Sequence, residues 1–577
     1  MSQAVTHRSG VISSELSAAP LPPALKQVYA NRGVDRLDDI TLPLSQLAPP
    51  SALKGAQAAA EMLADAIEFH ASVVIVGDFD ADGATSCALA VSLLKQMGLE
   101  EVTYLVPNRF EFGYGLTPEI VGVAAQYQPD VLVTVDNGIA SIDGVMAAQM
   151  LGMSVIITDH HLPGDTLPEA DIIVNPNQPG CPFPSKALAG VGVMFYVLTA
   201  LRAELRGRGW FESMGIDIPN LADALDLVAL GTVADVVPLD KNNRTLVAAG
   251  LARMRSGRAR PGIEALFEVA GRDISQVSST DLGFVAGPRL NAAGRLDDMS
   301  VGIECLLAES SASARILAKQ LNDFNKERKE IERTMQTDAM TLLEKGDLSV
   351  GNEDFALSLF REDWHQGVVG ILASRIRERF HRPTIVFAQS GDGELKGSGR
   401  SIPGVHLRDA LDRVATSTPG LITKFGGHAM AAGLSLSEDD LPRFRETFNR
   451  VVAQALKGSL PDHVTVTDGQ LPQSDLTLVL AEALESGGPW GQGFEAPSFE
   501  GVFTISDMRV VGEKHLKFRL VTEAGLIDAI AFNADVETWT RDTPKVLRCV
   551  YRPCVNEYRG DRRLQLQIEA LWPEASG

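Results

Sequence analysis

The sequence has 577 residues, of which 45% are hydrophobic, 22% charged and 6% aromatic; this excludes a peptide-sized or disordered chain and leaves room for several domains at roughly 100–200 residues each. No apolar stretch approaches the ~18 residues that would span a bilayer, so no membrane role is expected. The net charge of −22, from 52 Lys+Arg against 74 Asp+Glu, excludes general adhesion to nucleic acid over the whole surface but allows a local basic path.

The first residues, MSQAVTHRSGVISSELSAAP, lack a basic start followed by an apolar core, which is not the pattern of a secretory signal. They are expected to be disordered or loosely attached. Cys87, Cys181, Cys305, Cys549 and Cys554 are odd in number and scattered, consistent with reduced thiols and a cytoplasmic location.

Three apolar runs in the first third share one design: VVIVG (Val73 to Gly77), VLVTV (Val131 to Val135) and VIIT (Val155 to Thr158). Each runs directly into acid, DFDADG after the first, DNG after the second and DHH after the third. Helix-like stretches such as Ala84 to Met97 lie between them. β-Branched runs alternating with helices predict buried parallel strands in a doubly wound α/β sheet. Such sheets carry their chemistry at the carboxyl ends of the strands, so the three acidic clusters are expected side by side on one edge.

Further along, a helical region (Leu221 to Leu230) precedes GTVADVVPL, and GPRLNAAGRL (Gly287 to Leu296) reads as a loop. Between Gly302 and Gly346 there is no glycine or proline, which predicts one or two long solvated helices, either an ordinary surface helix or a connector between two domains. A second α/β module follows from about Asp354 to Leu456. After about Leu460 the pattern alternates with period two, as in HLKFRL and RLQLQIEAL, predicting a small β-barrel of five or so strands, for which an oligonucleotide-binding (OB) barrel is one candidate. The expected division is 1–45 (N-terminal segment), 46–300 (catalytic α/β domain), 301–348 (connecting helix), 349–458 (second α/β domain) and 459–577 (barrel).

Asp78, Asp80, Asp82 and Gly83 occupy positions 1, 3, 5 and 6 of a calcium loop, but position 12 is Leu89 where a bidentate glutamate is required, and a strand precedes the acids. Calcium-hand chemistry is set aside. Turn formation and helix capping account for Asp78 taken alone; for Asp80 and Asp82 the account weakens once Asp136 and His160 share the same sheet edge. Carboxylates and an imidazole so close would repel and shift one another's pKa unless a cation sat among them. Carboxylate-rich ligation with one histidine favours Mn²⁺ or Mg²⁺ over zinc. Asp235, in GTVADVVPL, is the strongest remaining ligand for a second ion, whereas Asp226 reads as structural. His160 and His161 cannot point the same way if they extend a strand, so one is free to ligate metal and the other to face substrate, with Asp159 available to orient an imidazole.

The ordered set DFDADG, VDNGI, TDHH, GTVADVVPL, GPRLNAAGR, DWHQGVVGILASR, GSGRS and GGHAMAAG closely resembles the DHH phosphoesterase superfamily, and within it the exonucleases specific for single-stranded DNA. The likeness runs from about Ala30 to Leu571. One departure is Phe79, where the family usually has tyrosine. The resemblance implies a DHH domain, a DHHA1-type second domain, and two-metal 5′→3′ hydrolysis of single-stranded DNA to 5′-mononucleotides in recombination and repair. It implies Mn²⁺ or Mg²⁺ as cofactor, and a single-stranded-DNA-binding protein and a RecQ-type helicase as partners; a monomer is the default expectation. Carried over position by position, the metal ligands fall on Asp80, Asp82, Asp136, His160 and Asp235; Asp78 and His161 line the same site. Arg109, Arg289 or Arg295, Ser398, Arg400, Gly427 and His428 are implied as groups that hold the DNA phosphates. Arginine forks and glycine-thinned turns suit that task physically, though Arg289 and Arg295 could instead pair with an acid such as Asp297. Lys514, Lys517 and Arg519 would line the barrel's path for a long polymer. Two rival readings are a small-substrate phosphoesterase of the same superfamily and a replication scaffold with a decayed site.

Overall fold

The computed structural model describes residues 4–108, 115–344, 351, 353–391, 393–461, 464–541, 544–558 and 560–574. Its contacts divide the chain into two units, one built on 320–464 with 292–298, the other on 5–291, 299–319 and 465–577. No described helix is long and apolar enough to cross a membrane.

The larger unit opens with β1 (Ala4–His7), but its scaffold is a five-stranded parallel sheet: β2 (Val73–Val76), β3 (Val102–Leu105), β4 (Val131–Val135), β5 (Ser154–Thr158) and β6 (Ile172–Val174). The spatial order is β3-β2-β4-β5-β6, with Val73 opposite Val131 and Val131 opposite Ser154. The apolar runs are strands because every residue of β2 and β4 is buried, as a sheet covered on both faces requires. The chain goes outward from β2 to β3 and then crosses back to β4 on the other side, so the order reverses between β2 and β4. In open α/β sheets that reversal leaves a crevice beyond the strand ends. DFDADG leaves β2 and DNG leaves β4 at that place.

In the smaller unit, β7 (Leu357–Phe360), β8 (Thr384–Gln389), β9 (Glu394–Arg400), β10 (Lys424–Gly427) and β11 (Ala431–Ser437) form a mixed sheet in the order β10-β11-β9-β8-β7, parallel only between β7 and β8. Its core includes Phe387, Phe444 and Phe448. Trp364 is buried in a second cluster with Met335 and Leu359, a packing role.

Two sequence expectations about helices need correction. GPRLNAAGRL is a helix, Gly287–Leu296; proline near the start suits a first turn and the alanines favour the interior, so its glycines mislead. The helix there is Leu225–Ala234, which runs into GTVADVVPL and takes up its first four residues, while Leu221–Ala224 is only a 3₁₀ turn. The glycine-free stretch becomes helices Ser300–Leu307 and Ser311–Glu344. The second is not solvated throughout, because Glu332 is buried between Arg328 (2.5 Å) and Arg375 (3.0 Å).

The barrel is closed: β12 (Val464–Thr467) precedes it, and β13 (Phe499–Val511), β14 (His515–Thr522), β15 (Gly525–Ala531), β16 (Val546–Tyr558) and β17 (Asp561–Glu574) follow the order β13-β14-β15-β17-β16. Alternate residues of β14 (Leu516, Phe518, Leu520) point inward and are buried. The start of the chain is attached, contrary to expectation. β1 pairs with β12, Leu16 is fully buried, and His7 Nε2 lies 2.9 Å from Glu500 Oε2. Arg32 meets the buried Asp468 at 2.7 Å. Polar sequence hides such attachment when a few ion pairs and one leucine carry it. All five cysteines are free thiols.

Candidate metal centre

Each ligand group is set by the strand or helix that ends beside it. After β2, Asp80 caps the helix Ala81–Gln96, its Oδ1 accepting the N–H groups of Asp82 (2.9 Å) and Gly83 (3.0 Å). Capping therefore applies to Asp80 after all, and it leaves Oδ2 uncommitted by that role, since an ionised carboxylate offers about four acceptor sites. Asp78 Oδ1 accepts the N–H of Phe79 at 2.7 Å. Asp82 is fully buried and rests on the first turn of the helix Gly190–Gly207, taking the N–H of Gly190 (2.6 Å) and of Val191 (2.9 Å). The positive end of that helix favours the anion. Position 190 must be glycine because a Cβ there would lie 2.6 Å from the Asp136 Cβ.

Asp136 leaves β4 in the left-handed region, at φ +63°, a strained conformation of the kind that marks functional sites. The N–H of Asp136 donates to Thr158 O (3.0 Å), and Asn137 ties the strand ends by donating to Val76 O and Val135 O. Beyond β5 the chain bends, so the rings of His160 and His161 stand 4.5 Å apart rather than on opposite faces. His160 Nε2 lies 3.1 Å from Asp136 Oδ1, 3.4 Å from Asp235 Oδ2 and 4.0 Å from Asp82 Oδ2. Asp235 arrives at the end of the helix Leu225–Ala234. Asp159 holds the turn: Oδ1 accepts from the His161 ring at Nδ1 (2.8 Å), and Oδ2 accepts the N–H of Ile139 (2.9 Å). Asp226 is structural, as expected, buried against Arg260.

Three groups hold their ligand atoms within 4.8 Å of one another: Asp78, Asp80 and Asp136; Asp82, His160 and Asp235; Asp136, His160 and His161. Burial pushes the Asp82 carboxyl up to about 7, reinforced by the charge of Asp80 and opposed by the Gly190 and Val191 amides. Burial, then the neighbouring carboxylates, raises Asp136 and Asp235 well above the usual range. His161 is pushed up to about 9: burial opposes its charge, but the hydrogen bond and charge of Asp159 outweigh it. Asp159 is correspondingly held below the usual range although burial alone would raise it.

These residues fit a divalent cation. The buried Asp136 Oδ1 accepts no hydrogen bond among the described residues, with an imidazole nitrogen and other carboxylates converging beside it. Oxygen-rich donors with one nitrogen match Mn²⁺ or Mg²⁺, and a bound cation would offset the repulsion that raises these pKa values.

Family models match in three places: "DHH family, N-terminal domain" at 72–232, "DHHA1 domain" at 352–454 and "RecJ OB domain" at 467–570. The single-stranded-DNA-specific exonuclease RecJ of Escherichia coli (strain K12) is 52% identical over 557 residues, 96% of each chain. The chain belongs to the RecJ family. Among solved structures, RecJ in complex with Mn²⁺ from Thermus thermophilus superposes with a TM-score of 0.80 at 31% identity, over 97% of this chain and 78% of that one. RecJ from the same organism in complex with Mg²⁺ gives 0.74 at 29% identity, over 97% and 76%. The expected fold class therefore holds for this RecJ-family chain: a DHH domain with a doubly wound parallel sheet, a second α/β domain of DHHA1 type and an OB barrel.

The phosphate-binding expectations are distributed over the chain. Arg109 lies outside the described residues. Arg289 Nη1 donates to Val285 O (2.7 Å) within its own helical segment, and burial lowers its pKa. In the smaller unit Arg295 Nη1 donates to Gly367 O (2.9 Å). Ser398 and Arg400 share one face of β9, with Arg400 Nη1 donating to Gly399 O (2.8 Å) and Ser398 Oγ (3.3 Å). Arg400 pairs with no carboxylate among the described residues, and burial, then Arg377, lowers its pKa. Gly427, at φ +137°, permits the hairpin, since a Cβ there would lie 2.5 Å from Ala431 O; the N–H of His428 donates to that same oxygen at 2.8 Å. On the barrel, Lys517 and Arg519 both face Asp528 (2.9 and 3.7 Å), so two of the three expected cations are partly neutralised.

Sequence reasoning passed over four asparagines. Asn137 is one; Asn291 Oδ1 accepts the N–H of Ala81 (2.7 Å), steadying DFDADG from the helix misread as a loop; Asn175 and Asn177 hold the histidine turn. The available signal was asparagine directly after a strand, or inside a motif already singled out.

Proposed function

We propose that this chain is a metal-dependent 5′→3′ exonuclease for single-stranded DNA that releases 5′-mononucleotides in recombination and repair. The observation that carries the reading is the meeting of Asp80, Asp82, Asp136, His160 and Asp235 at the carboxyl ends of β2, β4 and β5, with a buried carboxylate oxygen that accepts no hydrogen bond among the described residues. Asp78, Asp80, Asp82, Asp136, His160 and Asp235 would hold two ions, Mn²⁺ or Mg²⁺. When bound, such ions supply an acidified water and neutralise charge on the attacked phosphate. His161, its Nδ1 donating to Asp159 and its pKa pushed up to about 9, would carry on Nε2 a proton to donate toward a phosphate oxygen. Asp159 and the Gly190 and Val191 amides keep these groups in place before substrate arrives, the preorganisation on which electrostatic catalysis rests.

Arg400, Ser398, Gly427 and His428, with Arg109 and Arg289 or Arg295, are the proposed phosphate-holding set. A guanidinium beside a second arginine and with no carboxylate partner among the described residues suits an anion. The RecJ OB match supports strand guidance by the barrel. A single-stranded-DNA-binding protein and a RecQ-type helicase as partners rest on the resemblance, a cytoplasmic location on the scattered cysteines and the absence of a secretory pattern in the first residues, and a monomeric state is the default.

The test is parallel incubation of the full chain with 5′-labelled single-stranded DNA, duplex DNA and a dinucleotide, each with Mn²⁺ and with Mg²⁺. The expected result is 5′-mononucleotides from the single strand only. Preference for the dinucleotide would favour the small-substrate phosphoesterase, and binding without cleavage would favour the scaffold.

A further inference from the structure

The turn that carries both histidines is gripped from two sides, and only one grip belongs to the DHH motif. On that side Asp159 Oδ1 accepts the backbone N–H groups of His160 (2.7 Å) and His161 (3.1 Å). The opposite grip comes from two asparagines just after β6. Asn175 Nδ2 donates to the His161 carbonyl (2.9 Å) and Asn177 Nδ2 to the His160 carbonyl (2.6 Å). Asn175 Oδ1 also accepts the N–H of Asn177 (2.7 Å), an Asx turn through which the first side chain sets the second. Asn175 is fully buried, and the N–H of Asp159 donates to Val174 O (3.1 Å), so β6 stays paired up to the turn.

We propose that Asn175 and Asn177 are positioning residues for the metal centre. By fixing the carbonyls of His160 and His161 they fix the peptide planes on either side of the His161 Cα and the exit of the chain from His160, and hence the direction in which the His160 imidazole leaves the backbone. A small rotation there is magnified at Nε2, the far atom of the ring, whereas ligand bonds tolerate only about 0.2 Å. Outer partners of metal ligands commonly control affinity in this way. The inference rests on the metal-dependent reading above.

Asn177→Asp keeps the shape and removes the donor; Asn177→Ala removes the side chain. Binding of Mn²⁺ is read without DNA, from the electron paramagnetic resonance signal of the free ion, alongside kinetics on single-stranded DNA and melting of the metal-free protein. Both variants are expected to bind Mn²⁺ about 10-fold more weakly and to lose about 10–100-fold in kcat at fixed Mn²⁺. KM for DNA should stay within about twofold, excess Mn²⁺ should restore part of kcat, and the melting temperature should shift by no more than about 2 °C. Wild-type Mn²⁺ affinity in both variants, or weakened binding that only follows a large fall in melting temperature, overturns the inference. Asp136→Ala run alongside separates the two readings. If it too binds Mn²⁺ normally, the metal centre falls and this inference with it; if it loses binding while both Asn177 variants keep theirs, this inference alone falls.

Discussion

Beyond β2, β4 and β5, burial and mutual repulsion push Asp82, Asp136 and Asp235 toward their neutral forms. On β9 the same burial, with Arg377 nearby, pushes Arg400 toward its neutral form. Each region holds like charges at a cost in its own unit, the carboxylates relieved only in part by the histidines beside them and Arg400 meeting no carboxylate among the described residues. A metal ion would suit the first, and a phosphate is the partner proposed for the second. The regions also differ in rigidity. The acidic cluster is fixed by hydrogen bonds donated by Gly190, Val191 and Asn137 and by one that Asn291 accepts from Ala81, whereas Arg400 is held by one serine and one carbonyl.

Asp136→Asn should break the comparison most completely. Asparagine tolerates the left-handed backbone, so the fold should survive while hydrolysis falls by at least about 10³-fold and single-strand binding in a filter assay stays within about twofold. Substantial turnover in this variant would remove Asp136 from the centre. Gly190→Ala should cost about 10–100-fold in activity, because the added methyl pushes Asp136 and displaces the amide under Asp82; kinetics against Mn²⁺ concentration should show the loss as weaker metal affinity.

On the cationic side, Arg400→Ala should weaken binding of a 5′-phosphorylated strand by about 10-fold, as for a lost charge-assisted hydrogen bond. It should also lower the slope of log affinity against log salt by about 1. An unchanged slope would deny the phosphate contact. Smallest is the pH effect. Asp82, at about 7, must lose its proton to ligate, so Mn²⁺ affinity measured calorimetrically should fall about 10-fold from pH 8 to pH 6. Folding of the metal-free protein runs the other way: a carboxyl raised in the folded state contributes stability at low pH that is lost as pH rises through about 7. The metal-free melting temperature should thus be lower at pH 8 than at pH 6, and Mn²⁺ should reverse the order.

Much of this was legible in the residues. VVIV, VLVTV and SVIIT declare strands because a doubly covered strand has no polar face, and acid placed directly after each marks the sheet edge. HLKFRL declares the barrel by alternation. Less legible were contacts that depend on partners distant in sequence. Asn175 and Asn177 sit in Asn-Pro-Asn, which reads as a turn, and their purpose lies in carbonyls of residues 160 and 161. The helix Gly287–Leu296 was hidden by glycines at its first and eighth positions. The attachment of the first residues depends on Asp468, which meets Arg8, and Glu500, which meets His7, and no local pattern connects either acid to them.

Because the order of strands reverses between β2 and β4, the acids that meet there come from segments that are neighbours only after the crossover is complete, and Asp235 follows from a helix later still. Such long-range pairing forms late. A chain still emerging from the ribosome, or one that has lost this sheet, has no assembled cage for ions, so the proposed hydrolysis would be withheld until folding has finished.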